Sequence, residues 1–300
     1  MISRFFSFAV GLLTASLVVS CGGQGTENQE APTTFYFTAI PDNNESLLRQ
    51  RFDPMADYLT AELGITVVYK PVTNYQLAVT AMTGQEVFLA WFGGLTGVQA
   101  RARTAGQAIA QGAADAEFYS YFIAHPSSGL KFSNEFPMGM AGKTFTFGSK
   151  SSTSGRLMPE AFIRQHMGKA PNDVFKGDTG FTDSHNLTID AVVSGAFQVG
   201  AVNGKTWETM KAEGKTGDAF IIWKTPTYAD YNWSVPGDID EVYGAGFRDK
   251  LQKALLALDY TNPVHKKILD AYPRKKFITA TNDDYKGIKS TAESLGVIRG

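Results

Sequence analysis

Four consecutive hydroxyl side chains, Ser151-Ser152-Thr153-Ser154, follow the strand-like stretch Phe145-Thr146-Phe147-Gly148 and precede a helical run from Gly155 to Met167. A helix N-terminus carries unpaired backbone N–H groups and a partial positive charge. Serine and threonine add hydroxyl donors there, and Gly155 lets the backbone approach a ligand closely. The chemistry open to such a turn is to cradle an anion. The plainer alternative is an ordinary capped helix start, which needs only one of the four hydroxyls. Pro159 lies past the first turn of a helix starting near Thr153, so a distortion is predicted there.

Two further stretches carry candidate chemistry. His185 sits in the polar run Thr182-Asp183-Ser184-His185-Asn186. It reads either as a solvated loop histidine or as a donor to an anionic oxygen, strengthened if protonated. Thr225-Pro226-Thr227-Tyr228-Ala229-Asp230-Tyr231-Asn232-Trp233 reads either as a packed crossover or as the aromatic lining of a cleft, with Asp230 as acceptor. A carboxylate beside an anion makes sense where the ligand itself carries a proton. Ala141-Gly142-Lys143-Thr144 and Gly204-Lys205-Thr206 look like P-loop ends, but Pro137 and Val199 stand where that motif needs its first glycine. The histidines, His125, His166, His185 and His265, lack zinc spacing. No catalytic site, metal site or cofactor is indicated.

The elements that must position these residues alternate. Phe35–Ile40 reads as a strand, Leu47–Leu63 as a helix with a break at Pro54 and a stop at Gly64, Ile65–Tyr69 as a strand, Tyr75–Met82 as a helix and Val87–Phe92 as a strand. Phe118–His125 reads as a further strand of this set, a similar set follows from Phe145–Gly148 to Ala219–Trp223, and then amphipathic helices close the chain. Such alternation predicts an α/β fold with mainly parallel sheets in two lobes around a cleft.

The ends and the charge bound the setting. Arg4 followed by the apolar run Phe5–Val19 is too short to span a membrane comfortably and suits a secretory signal of residues 1–20. Val18-Val19-Ser20-Cys21 reads as a lipobox, which makes Cys21, the only cysteine, a lipidation site and a membrane anchor. Residues 21–33 read as a flexible tether. A net charge of −1 over 300 residues excludes broad attraction to nucleic acid.

In combination, Val72-Thr73-Asn74-Tyr75, the run Leu89-Ala90-Trp91-Phe92-Gly93-Gly94-Leu95-Thr96-Gly97-Val98-Gln99-Ala100-Arg101, Phe147 to Pro159, His185 and Trp223 to Trp233 resemble the phosphate/phosphite/phosphonate-binding proteins of ABC importers, the PhnD and PtxB group. The resemblance covers about residues 34–290. It implies a bilobed type II periplasmic-binding fold, with lobe 1 at 34–125 plus 236–300, lobe 2 at 126–235, and hinge crossings near His125-Pro126 and Val235-Pro236. It implies an oxyanion on Ser152, Thr153 and Ser154, with Tyr75, Thr96 and His185 around it and Asp230 or Tyr231 completing the shell. The family helix carries a proline at the place of Pro159. Phe92 replaces a family tyrosine, and Thr206 stands near a glutamate that aminoethylphosphonate binders use for the ligand amine. An apolar aromatic wall made by Trp91, Phe92 or Tyr231 suits a P–H bond. The implied ligand is therefore phosphite, methylphosphonate or phosphate without an amine, and the implied partners are an ABC permease and ATPase. The implied protein is a monomer with no enzymatic activity. Two other function classes fit the residues: a membrane-anchored sensor feeding a kinase, and a secreted phosphorus-ester hydrolase with Ser152 and His185 as its only candidate pair.

Overall fold

The computed structural model describes residues 32–298. The signal segment, Cys21 and all but the last two residues of the tether lie outside the described residues. The strands are β1 (Thr34–Ala39), β2 (Thr66–Tyr69), β3 (Leu89–Phe92), β4 (Gln107–Gly112), β5 (Ser120–Ala124), β6 (Phe145–Phe147), β7 (Gly180–Phe181), β8 (Val199–Asn203), β9 (Phe220–Lys224), β10 (Asn232–Val235) and β11 (Phe277–Thr279). The helices are α1 (Glu45–Leu63), α2 (Tyr75–Thr83), α3 (Gly94–Thr104), α4 (Met158–Met167), α5 (Pro171–Val174), α6 (His185–Val193), α7 (Gly204–Ala212), α8 (Ile239–Tyr243), α9 (Phe247–Leu256), α10 (Pro263–Ala271) and α11 (Lys286–Ser294).

Two sheets result, with orders β11-β4-β10-β3-β1-β2 and β7-β6-β8-β5-β9. Within each, four strands share one direction, three of them paired side by side in parallel, as βαβ units require. Each sheet also receives one strand from a chain crossing, inserted antiparallel between its neighbours. β10 enters between β3 and β4, and β5 between β8 and β9. The sheets are therefore mixed rather than mainly parallel, because a chain returning from the other lobe arrives from the opposite end.

This corrects the expected lobe boundaries. Ser120–Ala124 belongs to the second sheet and Asn232–Val235 to the first, so the crossings lie at residues 113–119 and 225–231, not at His125-Pro126 and Val235-Pro236. Phe118 and Tyr228 pair backbone to backbone where the two crossings pass each other. β10 was legible only as a crossover because its Asn232 and Ser234 are polar. Both are fully buried, and Arg101 of α3 donates to Asn232 Oδ1 and Ser234 Oγ at 2.8 Å each. Pro54 does not break α1, which is continuous with Phe52, Met55, Leu59 and Leu63 on its buried face. Tertiary packing of that face outweighs the lost hydrogen bond. Gly64 ends α1 in the left-handed conformation, φ 72°, as the sequence predicts.

Lobe 1 has one continuous core. The second sheet alternates Phe122 and Ala201 toward one core with Ile123 and Val202 toward another. At the crossings, Arg274 clamps buried Asp115 through Nε–Oδ2 at 2.8 Å and a second Nη2–Oδ1 contact. Removing one member of such a pair leaves an uncompensated buried charge. Asp115→Ala is expected to lower unfolding free energy by about 3–5 kcal/mol in urea titrations, while Asp115→Leu with Arg274→Met together loses far less. Equal losses in both would show that the pair is not what matters.

Candidate functional site

The hydroxyl turn is built by what precedes and follows it. β6 delivers the chain to Gly148, and Ser152 caps the next turn by accepting the Gly155 N–H at 2.9 Å. Thr153–Leu157 then forms one wide π turn before α4, closed by Leu157 N–H to Ser152 O at 3.0 Å. Here the distortion predicted from Pro159 takes its form. Proline has no N–H to offer the carbonyl four residues back, which is Gly155 O. That carbonyl instead accepts the Gly148 N–H at 2.8 Å. Gly155 leaves room here, since a Cβ would sit 3.0 Å from the His185 ring and 3.2 Å from Gly148 Cα, so a larger residue requires these neighbours to shift.

Lobe 1 meets this turn with the N-terminus of α3. Leu95 N–H donates to Thr153 Oγ1 and Gly94 N–H to Asp230 Oδ1, both at 2.9 Å. Gly93 allows the approach, because a Cβ would lie 3.1 Å from Thr153 Oγ1 and 3.2 Å from Asp230 Oδ1. Two helix starts thus converge on one spot, each bringing partial positive charge. Ser152, Thr153, Ser154, His185, Asp230 and Tyr75 are all buried.

Two buried polar atoms at this spot have no partner: the Tyr75 hydroxyl and Asp230 Oδ2. Burial holds the Tyr75 pKa well above its ordinary value, with Asp42 and Asp230 adding to the rise, so it remains a donor. Burial raises Asp230 to about 7. The Gly94 amide and the Thr153 and Ser154 hydroxyls oppose that rise, but neither hydroxyl completes a hydrogen bond with Oδ2. His185 opens α6; its own N–H donates to Asp42 O at 3.2 Å, and its Nδ1 accepts the Asn203 N–H at 3.3 Å. Burial lowers its pKa to about 4. The ring is neutral at physiological pH, with the proton on Nε2 as a donor. The expected strengthening by protonation is thereby replaced by a fixed neutral donor. Ser152 and His185 do not form a nucleophile–base pair, since His185 Nδ1 accepts the Asn203 N–H and the ring proton then occupies Nε2, which leaves no ring nitrogen to take a proton from Ser152.

The arrangement is a closed set of hydroxyls, amides and an imidazole around one carboxylate, suited to holding a small oxyanion. The family model described as "ABC transporter, phosphonate, periplasmic substrate-binding protein" matches residues 37–285. The chain belongs to that family. Among relatives of this chain, a probable ABC transporter phosphite binding protein, PhnD1 of Prochlorococcus marinus, is 40% identical over 274 residues, covering 89% of this chain and 92% of the relative. The phosphate-import protein PhnD of Mycolicibacterium smegmatis is 28% identical, covering 72% of this chain and 71% of its own. The solved structure of Prochlorococcus marinus PhnD1 with methylphosphonate has a TM-score of 0.85 at 39% identity, covering 89% of this chain and 99% of that one. A binding-protein component of a Pseudomonas aeruginosa phosphonate transporter shares the fold, with a TM-score of 0.76 at 20% identity over 89% and 87% of the two chains. The chain is thus a substrate-binding protein of the periplasmic type, with the α/β bilobed fold of such proteins.

Within this family member, the remaining candidates fall in different places. Tyr231 stacks on Trp91, with ring centroids 5.5 Å apart and planes at 19°. Trp91 itself packs among Trp233, Tyr272 and Phe277 in the core of lobe 1, one ring behind Tyr231. Phe92 is fully buried at the end of β3. The Thr96 hydroxyl donates within α3, to Gly93 O at 3.1 Å. The sequence reading missed Asp42, taken for part of a turn. Its carboxylate accepts from Tyr231 Oη at 2.8 Å and pairs with Arg51 at 3.3 Å, and its carbonyl holds α6. The available signal was its place just past the carboxyl end of β1, where open α/β sheets bind ligands. Asn203 was missed as well.

Opposite pH dependences follow for the ligand-free protein. Folding raises the Asp230 pKa from 3.8 to about 7, so its ionisation removes stability as pH rises through that window. Folding lowers His185 from 6.5 to about 4, so its contribution is lost as pH falls through that one. Relative to the parent, Asp230→Asn should gain stability with rising pH and His185→Gln with falling pH, as read from urea midpoints. Parallel curves for both variants would show that neither group titrates in this way.

Proposed function

We propose that this protein captures phosphite or a small phosphonate outside the cytoplasm and delivers it to an ABC permease and ATPase. The observation that carries the reading is the buried pair of unpartnered atoms, a donor at Tyr75 and an acceptor at Asp230 Oδ2, flanking the hydroxyl turn. A tetrahedral oxyanion with one protonated oxygen satisfies both. Its charged oxygens accept from Tyr75, the Ser152–Ser154 turn and His185 Nε2, while its P–OH donates to Asp230. A fully deprotonated anion leaves the carboxylate facing an oxygen lone pair, which costs about 1–3 kcal/mol or more.

A P–H or P–CH₃ group needs no hydrogen bond and suits contact with an aromatic ring such as Tyr231, where an additional phosphate oxygen goes unpaired. Thr206 occupies the neighbourhood where aminoethylphosphonate binders carry a glutamate, and Lys205 beside it pairs with Glu208 at 2.9 Å. A ligand ammonium finds no partner at either residue. The methylphosphonate complex of Prochlorococcus marinus PhnD1 and that relative's name support this ligand class. Capture proceeds by closure of the lobes about the two crossings, and the monomer is held at a membrane by lipid on Cys21.

Calorimetric titration is expected to rank phosphite or methylphosphonate tightest and aminoethylphosphonate weakest; the reverse ranking would refute the argument from Thr206. Ser154→Ala and His185→Ala should each weaken binding by roughly tenfold or more with circular dichroism unchanged. Undiminished affinity in both would move the site elsewhere. Metabolic labelling with a radioactive fatty acid should mark the parent and not Cys21→Ser, and labelling of both would remove the anchor from Cys21.

A further inference from the structure

Beside the cradle lies an interlobe cavity of 560 Å³. Asp42, Arg51, Tyr231 and Arg274 line it from lobe 1, and Asn203 and Thr206 from lobe 2. None of Tyr75, Ser152, Thr153, Ser154, His185 or Asp230 lines it. The residues common to both spaces form one hydrogen-bonded chain: Asn203 Nδ2 donates to Tyr231 Oη, which donates to Asp42 Oδ2, each at 2.8 Å. Each member also borders the cradle. Tyr231 follows Asp230 in sequence. Asp42 O accepts the His185 N–H, and the Asn203 N–H donates to the His185 ring.

The chain is held rigidly from both ends. Asn203 Oδ1 caps α7, accepting from Lys205 N at 2.7 Å and Thr206 N at 3.1 Å, so its amide is oriented with Nδ2 toward Tyr231. Arg51 Nη1 fixes the other Asp42 oxygen at 3.3 Å. The tyrosine ring is pinned by its stack on Trp91, and its hydroxyl both donates and accepts. Swinging it aside would leave Asp42 and Asn203 with buried unpaired groups.

We propose that Asn203, Tyr231 and Asp42 form a partition that sets the longest substituent a phosphorus ligand can carry. A hydrogen or methyl on phosphorus stays on the cradle side. A longer alkyl tail must break the partition to enter the cavity. The proposal rests on the reading of the site as a phosphorus-oxyanion cradle, and it assigns size selection to three residues that need not touch the charged oxygens.

The test compares methylphosphonate with propylphosphonate by calorimetry on the full protein. The parent should bind propylphosphonate at least about tenfold more weakly. Tyr231→Phe removes the hydroxyl and keeps the stacked ring. Asn203→Ser keeps a helix cap and removes the donor that reaches Tyr231. Each should shrink the propyl-to-methyl ratio by about tenfold. If one variant fails to fold, the other carries the measurement. A parent that binds both ligands equally, or a ratio unchanged in the folded variants, overturns the partition while leaving the cradle intact. A parent that binds neither ligand overturns the cradle, and the partition with it.

Discussion

A hydrogen-bond donor and an acceptor buried without partners are costly, and here both stand beside the hydroxyl turn. Tyr75 comes from the first turn of α2, and Asp230 from the chain just as it re-enters lobe 1. Neither completes a hydrogen bond with another described protein group, although Ser152 lies beside Tyr75 and Thr153 and Ser154 beside Asp230. A ligand that supplies both missing partners offsets the penalty of burying them. The rest of the site is arranged about that requirement. The hydroxyl turn of lobe 2 and the α3 amides of lobe 1 supply donors, and glycines at 93 and 155 leave room for the side chains of Thr153, Asp230, Ser152 and His185 against the backbone.

The charge balance of the cradle is unusual for an anion site. Its donors are neutral, and the charged side chain among them is an acid. Burial lessens the conflict, because it raises Asp230 to about 7, so that the carboxylate and a ligand oxygen can share one proton between them, and keeps His185 neutral. Selection by proton inventory follows: the site counts how many ligand oxygens donate and how many accept, where a cluster of cations would attract any anion.

The crossings tie this chemistry to the hinge. Asp230 N–H donates to Asp115 O at 3.0 Å, so the acceptor of the cradle is anchored to the opposite crossing strand. Arg274, paired with Asp115, lies over the Tyr231 ring at 5.2 Å and the Trp91 ring at 5.7 Å. One buried ion pair and one aromatic stack therefore position both the carboxylate and the neighbouring wall. The crossings therefore reach the cradle directly, with no intervening loop.

Local residue types decided much of this protein. The alternation of strands and helices, the hydroxyl run after a strand, the left-handed glycine at 64 and the disturbance at Pro159 are short-range features, and each was legible in the sequence. The tertiary structure decided what depends on distant groups meeting. The insertion of β5 and β10 into each other's half of the chain moved the crossings, because strand membership is set by pairing partners and not by composition. Asp42 and Asn203 look like turn and cap residues until Tyr231 is placed between them. The protonation of His185 and Asp230 was likewise beyond sequence reading, since burial against groups remote in the chain is the main cause of both shifts.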